Sequence, residues 1–275
     1  MTARLRFKFH GKQNRVPALV FLPFLLLTLL CFPNMSCARK WDALSKEEQA
    51  TLHQILNRWK SWVPEQKKAG TAPLMTFEEL YQGMSPEERD FLDRIRAINP
   101  RKKFGFQGSY LGISNQPVRF KRIDNEWITK EGKSQKLEPQ YLPEKVDTAY
   151  EAMMAAMKHS LGKRLFVDSG YRSPACQLYT FLFYLPKHHY SLVETGHWIA
   201  LPGYSEHGDP SRQAIDFINE EGINGEDDAE SFERLSEYRW LVENAGKFGF
   251  ELSYPRGKKG ITFEPWHWRY VNGNR

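Results

Sequence analysis

The sequence predicts an α+β protein with a small antiparallel sheet flanked by helices and with an amino-terminal helical extension. Helix-capping patterns and apolar residues at helical spacing fill residues 42–98, whereas helical and β-type segments alternate from residue 141 onward. Such an order is typical of helices packed beside an antiparallel sheet. The chain of 275 residues is long enough to bury a sizeable core, in one large domain or two small ones.

Residues 1–38 are predicted to be a signal peptide or membrane anchor. Basic residues precede an apolar run at 16–31, which is short for a bilayer span and is interrupted by prolines. Ser36 and Ala38 provide the small side chains of a cleavage site, while Cys37 allows the alternative of a lipoprotein. Each interpretation places the rest of the chain outside the cytoplasm, in the periplasm or cell envelope, and limits membrane contact to this segment.

Cleavage of this segment would leave Cys176 as the only cysteine. Exported proteins often carry disulfides, but one cysteine cannot form an internal bridge. Cys176 lies in an apolar, helix-like run, which favours burial as a small hydrophobic side chain over a role as a thiol nucleophile.

Residues 39–100 are predicted to form the helical extension. Ser45 is followed three residues later by Glu48, and Ser85 by Glu88. A serine and a glutamate at this spacing can each satisfy the other's backbone amide at the start of a helix. Both pairs precede apolar residues at helical spacing, so we expect a helix after each of them.

Residues 101–139 are predicted to be a linker region, entered through a basic, glycine-rich stretch after Asn99 and Pro100. Basic residues alternate there with aromatic ones, as they do on nucleic-acid-binding surfaces. An exported protein instead meets anionic cell-wall polymers and lipid head groups. We therefore expect a solvated linker and no nucleic-acid partner.

The main domain is predicted to cover residues 140–275. Its apolar spacing and its glycine and proline positions mark alternating segments. Helices are expected at 146–162, 174–185 and 228–249, and β-type segments at 164–173, 250–255 and 261–271.

Four polar residues in this domain have the chemistry of a zinc hydrolase site. Such a site needs three His or Asp/Glu ligands, an open position for water and a nearby carboxylate to take the proton of that water. His207, Asp216 and His267 are candidate ligands, and Glu264 is a candidate base. Pro265 would interrupt a strand, which lets Glu264 and His267 turn toward one site.

Each of these residues has a simpler explanation when it is taken alone. His207 could be a turn histidine, Asp216 a carboxylate at the end of a strand, and His267 a packed core histidine between two tryptophans. His188, His189 and His197 are expected to be non-ligands.

Four stretches in fixed order carry a family resemblance. They are "SGYRS" at 169–173 with Gln177 beyond it, "PGYSEHG", "AIDF" and "FEPWHWRY". Together they resemble the zinc D-alanyl-D-alanine carboxypeptidases of the vancomycin-resistance type, a group that shares its fold with the hedgehog signalling domain. The resemblance covers roughly residues 140–272 and implies a zinc peptidase domain, whereas it does not extend to residues 39–139.

The resemblance also implies roles for individual residues. One zinc ion per chain would lie on His207, Asp216 and His267, and Glu264 would act as general base. Arg172 would bind the scissile carbonyl oxygen, and Ser205 and Gln177 would bind the substrate. The spacing from His207 to Asp216 is two residues longer than the usual family motif, so Asp209 is an alternative ligand.

The function expected from this resemblance is removal of terminal D-Ala from peptidoglycan stem peptides that end in D-Ala-D-Ala. Four alternatives remain: a peptidoglycan endopeptidase, a D,D-dipeptidase, an L,D-carboxypeptidase, and a cell-wall-binding module without catalytic activity. The complete set of three ligands, a base and an arginine argues against the last of these, because a binding module needs no base.

Overall fold

The structure is a computed structural model that describes residues 42–113, 118–124, 126–226, 228–257 and 262–271. The predicted export segment and its cleavage site lie outside the described residues. Among the helices that are described, none combines the length and the apolar composition needed to cross a bilayer.

The amino-terminal region is helical, as predicted. Ser45 Oγ accepts a hydrogen bond from the Glu48 amide at 3.2 Å, and the Glu48 carboxylate accepts one from the Ser45 amide at 2.8 Å. Ser85 and Glu88 form the same reciprocal pair at 3.2 and 2.7 Å. The helices of this region are α1 (Lys46–Ala69), α2 (Phe77–Leu80), α3 (Pro86–Arg96) and α4 (Pro100–Lys103).

The rest of the described chain alternates strands and helices, and the predicted α+β class is confirmed. Two hairpin-like pairs come first, formed by strands β1 (Phe120–Ile123), β2 (Trp127–Lys130), β3 (Lys133–Lys136) and β4 (Gln140–Pro143), with β1 against β4 and β2 against β3. The elements that follow are α5 (Glu144–Leu161), β5 (Phe166–Ser169), α6 (Pro174–Tyr184), α7 (Leu192–Trp198), β6 (Ala214–Ile218), α8 (Ala229–Glu233), α9 (Ser236–Asn244), β7 (Phe250–Leu252) and β8 (His267–Tyr270).

The central sheet has the strand order β5-β6-β8-β7, and every neighbouring pair is antiparallel. Its register places Asp216 opposite His267 on one side and opposite Ser169 on the other. Residues directly opposite each other in a sheet project from the same face. The sheet therefore lines up one polar row across three strands, at the end where β5 leaves the sheet.

The prediction of one continuous helix over residues 228–249 is wrong, because the structure has two shorter helices there. The chain leaves the helical conformation at Leu235 (φ −61°, ψ 144°), which separates α8 from α9. This break lets Phe232 and Leu241, which are both fully buried, enter the same core from two short helices.

Two hydrophobic cores hold the described residues together. One lies between the central sheet and helices α5 and α9, and includes Tyr150, Phe217 and Trp268. The other joins the amino-terminal helices to α6 and includes Trp59 and Leu178. The amino-terminal helices thus share a core with the helix that follows Arg172.

A short segment before β1 packs against the approach to Ser205. The Leu111 amide donates to the Gly203 carbonyl oxygen at 2.8 Å, and the rings of Tyr110 and Tyr204 lie 5.1 Å apart. Added side-chain volume at Gly203 would collide with Tyr110, because a Cβ there would lie 2.5 Å from that ring. Residues from outside the main domain predicted from the sequence therefore support the loop that carries His207.

Trp59→Ala tests whether the core shared by α1 and α6 stabilises the protein. Trp59 is 3% exposed, its indole donates to the Leu80 carbonyl oxygen at 3.0 Å, and its ring lies edge-on to Tyr179 of α6 at 5.7 Å. We expect the free energy of unfolding to fall by about 3–5 kcal/mol, measured by chemical denaturation. Trp127→Ala is the matched control, since Trp127 is 54% exposed and its loss should change stability by no more than about 0.5 kcal/mol. Equal effects of the two changes would contradict this account.

Candidate metal centre

The three predicted ligands come together in one buried cluster. The Nε2 atom of His207 lies 3.0 Å from Asp216 Oδ2, and Nδ1 of His267 lies 2.8 Å from Asp216 Oδ1. One ligand atom from each residue lies within 4.8 Å of the others, and all three residues are 5–6% exposed. Within the part of the chain that the structure describes, this is the one such group, and His188, His189 and His197 lie outside it.

Secondary structure explains why residues from distant parts of the sequence meet here. Asp216 and His267 are opposite each other on β6 and β8. His207 arrives on a single 3-10 turn, Glu206–Gly208, that contacts β6. The backbone amide of Arg172 donates to the His207 carbonyl oxygen at 3.0 Å, which ties this turn to the end of β5.

The two additional residues between His207 and Asp216 are accommodated in a second 3-10 turn, Pro210–Arg212. Asp209 caps this turn, and its carboxylate accepts from the Ser211 amide at 3.0 Å and from the Ser211 hydroxyl at 2.6 Å. The carboxylate that Asp209 would need as an alternative ligand is therefore engaged within the loop. Asp216 keeps the position next to both histidines.

The two histidines are oriented through their other ring nitrogens. Nδ1 of His207 donates to the Gly170 carbonyl oxygen at 2.8 Å, which leaves Nε2 toward Asp216. His267 is turned the other way, because its Nε2 lies 3.1 Å from Glu206 Oε2 and its Nδ1 faces Asp216. The ring of Tyr254 covers His267 at a centroid distance of 4.8 Å.

The electrostatics of the cluster favour a cation. Burial opposes ionisation of Asp216, but the two histidines hold the pKa of its carboxyl far below the usual range. Burial lowers the pKa of His207, and a neutral His207 that donates through Nδ1 presents a lone pair at Nε2. That lone pair faces a carboxylate oxygen, so two acceptors meet at 3.0 Å.

Two imidazoles and one carboxylate, with no cysteine, are the donor set of catalytic rather than structural zinc sites. The lone pair of His207 Nε2 and the carboxylate oxygen of Asp216 repel each other, and a cation bound between them would remove this repulsion. The residues therefore fit a zinc ion, which His207 Nε2, His267 Nδ1 and the Asp216 carboxylate would hold.

Glu264 lies beside this cluster, as the predicted base must. Its Oε2 is 4.0 Å from Nδ1 of His267, and its side chain is 30% exposed. The backbone turns here as Pro265 suggested, since the His267 amide donates to the Glu264 carbonyl oxygen at 3.2 Å. Burial raises the pKa of Glu264 to about 7, with the neighbouring carboxylates of Asp216 and Glu206 adding to the effect.

Arg172 lies at the exit of β5, and its guanidinium donates to Ser169 Oγ at 3.0 Å. Ser169 is the residue opposite Asp216 in the sheet. The positive charge of Arg172 is close enough to help lower the pKa of His207. The arginine is thus held at the edge of the cluster by its backbone and by its side chain.

The two predicted substrate-binding residues differ in their surroundings. Ser205 is partly exposed and directly precedes the turn that carries His207. Gln177 is 3% exposed, and its amide donates to the Ala200 carbonyl oxygen at 2.7 Å. Its Oε1 atom has no hydrogen-bond partner among the described residues. Both substrate-binding roles stay predictions.

Glu206 is the residue of this site that the sequence analysis missed. Its carboxylate accepts from Ser253 Oγ at 2.6 Å and pairs with the guanidinium of Arg269 at 2.5 Å, besides contacting His267. Burial opposes its ionisation, yet these partners, with His267 foremost, lower the pKa of Glu206 to about 2. Two features of the sequence are consistent with this place. Glu206 directly precedes His207, and Arg269, two residues after His267 on the same face of a strand, offers a positive charge that a carboxylate near His267 could pair with.

Comparison with known proteins relates the carboxyl-terminal half of the chain to carboxypeptidases. The family described as D-alanyl-D-alanine carboxypeptidase (VanY) matches residues 139–273. The protein YodJ of Bacillus subtilis is 33% identical over 143 residues, which are 50% of this chain and 49% of that protein. A D-alanyl-D-alanine carboxypeptidase of Enterococcus faecalis is 42% identical over 82 residues, which are 29% of this chain and 27% of that enzyme. A vancomycin-resistance D,D-pentapeptidase VanY, solved in complex with Zn(II), is 27% identical, covers 49% of this chain and 75% of its own, and has a TM-score of 0.39.

The matched region, which contains the site, is similar to carboxypeptidases. More particularly, residues 139–273 are similar to the VanY family of D-alanyl-D-alanine carboxypeptidases. The chain spans about half the length of the first of these curated relatives and about a quarter of the second. The amino-terminal helices lie outside the matched region.

Proposed function

We propose that this protein is an exported, zinc-dependent D,D-carboxypeptidase that removes the terminal D-Ala from peptidoglycan stem peptides. The observation that carries the proposal is the carboxylate of Glu264, 4.0 Å from Nδ1 of His267, beside the buried His-Asp-His cluster. Three ligands and a partly exposed carboxylate form a hydrolytic arrangement. The similarity to D-alanyl-D-alanine carboxypeptidases indicates the kind of peptide on which it acts.

A zinc ion on His207, Asp216 and His267 would supply Lewis acidity and lower the pKa of water. Glu264 accepts the proton of the water that attacks the peptide carbonyl, and its raised pKa suits a group that must take up a proton and then release it. The same carboxyl passes that proton to the leaving amine of D-Ala.

Arg172 has a separate task in this mechanism. Its guanidinium is held by Ser169 at 3.0 Å, so it is pre-oriented before substrate arrives. Negative charge develops on the scissile carbonyl oxygen only in the transition state, and a positioned guanidinium stabilises that charge more than it stabilises the neutral carbonyl. This preference lowers the barrier of the attack.

A binding module without catalysis is less well supported. Recognition of a peptide needs neither a buried His-Asp-His cluster nor a carboxyl group whose pKa is raised to about 7. Perturbed ionisable groups of this kind concentrate at catalytic sites. The names of the relatives support the substrate class, because the matched enzyme of Enterococcus faecalis is a D-alanyl-D-alanine carboxypeptidase.

Mass spectrometry of digested stem peptides tests the proposal. The zinc-loaded protein is incubated separately with a pentapeptide ending in D-Ala-D-Ala, a tetrapeptide ending in a single D-Ala, a cross-linked dimer and free D-Ala-D-Ala. We expect the pentapeptide to lose one D-Ala faster than any other substrate reacts. Preferred cleavage of the tetrapeptide, the dimer or the free dipeptide would replace the assigned specificity by that of an L,D-carboxypeptidase, an endopeptidase or a D,D-dipeptidase. Binding of the pentapeptide without cleavage by the zinc-loaded protein would overturn the proposal altogether.

A further inference from the structure

His267 contacts a carboxylate through each of its ring nitrogens. Nδ1 lies 2.8 Å from Asp216 Oδ1, and Nε2 lies 3.1 Å from Glu206 Oε2. A neutral imidazole carries one proton, so one nitrogen donates a hydrogen bond and the other presents a lone pair. Which carboxylate receives the proton decides whether Nδ1 can act as a ligand.

The surroundings of Glu206 make its carboxylate a hydrogen-bond acceptor for His267. Its side chain is 11% exposed. Oε2 accepts from the Ser253 hydroxyl at 2.6 Å, and Oε1 pairs with Nη1 of Arg269 at 2.5 Å. Because a hydroxyl and a guanidinium already donate to this carboxylate, the contact with Nε2 of His267 is one in which Glu206 accepts the hydrogen bond.

The β7-β8 pair fixes the partners of Glu206 relative to His267. Arg269 lies two residues after His267 on β8 and opposite Glu251 on β7, to which it also donates at 2.7 Å. The Ser253 amide donates to the His267 carbonyl oxygen at 3.3 Å. Of the two groups that hold the Glu206 carboxylate, Arg269 therefore lies on β8, the strand that carries His267, and Ser253 directly follows β7.

We propose that Glu206 is a positioning residue for the metal: its carboxylate holds the proton of His267 on Nε2 and so keeps the lone pair of Nδ1 directed at the zinc position. The inference rests on the proposed function, because it requires that the cluster bind zinc. A carboxylate behind a ligating imidazole raises the basicity of the ligand and fixes its ring. His207 uses a backbone carbonyl for the same purpose, since its Nδ1 donates to Gly170.

Glu206→Gln is the discriminating variant because it conserves the size of the side chain but replaces one oxygen by an NH₂ group. That group can donate to Nε2 of His267 and stabilise the tautomer with the proton on Nδ1. We expect the variant to bind zinc about 10–100-fold more weakly than the wild type, measured by competition with a chromophoric chelator. Thermal unfolding of the metal-free proteins shows whether both are folded.

Glu251→Gln is the matched control. Glu251 shares Arg269 with Glu206, and its hydrogen bonds among the described residues are with Arg269 and not with either histidine. Its loss should therefore leave zinc affinity near that of the wild type. Equal affinities of Glu206→Gln and the wild type, or equal losses in Glu206→Gln and Glu251→Gln, would overturn the inference while leaving the proposed function intact. A wild-type protein that binds no zinc would refute both.

A second measurement needs no substitution and so cannot fail through misfolding. In the zinc-loaded, ¹⁵N-labelled wild-type protein, we expect NMR to find the His267 proton on Nε2 and the proton of His207 on Nδ1. A proton on Nδ1 of His267 would show that Nδ1 is not the ligand, and the positioning role of Glu206 would be excluded.

Discussion

Replacing Glu264 by glutamine is expected to reduce kcat by about 10²–10⁴-fold while zinc remains bound at full stoichiometry. The size of the effect is that of losing a general acid-base catalyst. The amide has nearly the shape of the carboxyl but cannot accept the proton of the attacking water. It makes no change to His207, Asp216 or His267, so the metal position is preserved.

The variant is checked by steady-state release of D-Ala and by metal analysis of the same sample. A large loss of activity with retained zinc supports the role of Glu264 as base. Wild-type turnover in the Gln variant would refute that role, and loss of zinc from it would assign Glu264 to the metal instead.

The pH profile of the wild type gives an independent check. A base must be ionised to act, and burial raises the pKa of Glu264 to about 7, so activity falls as the pH drops through that pKa. A cation at the adjacent cluster favours the ionised carboxylate and moves this limb to lower pH. We expect kcat/KM of the wild type to fall with acid at or below about pH 7, and we expect the residual activity of the Gln variant to lack this limb.

The amino-terminal helices were predictable because their signals are local. A capping box joins residues three apart, and both predicted boxes form, at Ser45 and at Ser85. What the helices pack against was not predictable. An apolar stripe indicates that a helix has a partner, but the partner of Trp59 is Tyr179, more than a hundred positions along the chain.

The candidate site divides in the same way. His207, Asp216, His267 and Glu264 could be chosen as candidates because zinc hydrolysis requires those residue types and the resemblance orders them. Glu206 could not be assigned its place, since its contact with His267 joins residues 61 positions apart. Its other partners, Ser253 and Arg269, come together only when β7 pairs with β8. A carboxylate next to a ligand in sequence is most simply interpreted as a solvated turn residue until the strands are placed.

The longer loop between His207 and Asp216 leaves two aspartates, Asp209 and Asp216, as candidate ligands. Substituting each of them in turn tests which one binds the metal. Asp216 lies between both imidazoles, whereas Asp209 accepts hydrogen bonds from Ser211. Substitution of Asp216 removes the buried charge that both histidines contact. Substitution of Asp209 alters only a capping interaction in the loop.

Asp216→Asn is therefore expected to weaken zinc binding more than Glu206→Gln, for which we expect a loss of about 10–100-fold. Because zinc is lost, turnover should be abolished as well. The metal-free protein should also lose stability, by as much as about 3–5 kcal/mol, because His267 keeps its place in the core without one partner of a buried pair. Zinc affinity by chelator competition and the free energy of unfolding by chemical denaturation measure the two effects.

Asp209→Asn is the matched control, with the same loss of charge two residues from His207, and should keep zinc and turnover. The opposite pattern, with zinc lost in Asp209→Asn and kept in Asp216→Asn, would show that the inserted loop has exchanged the ligand.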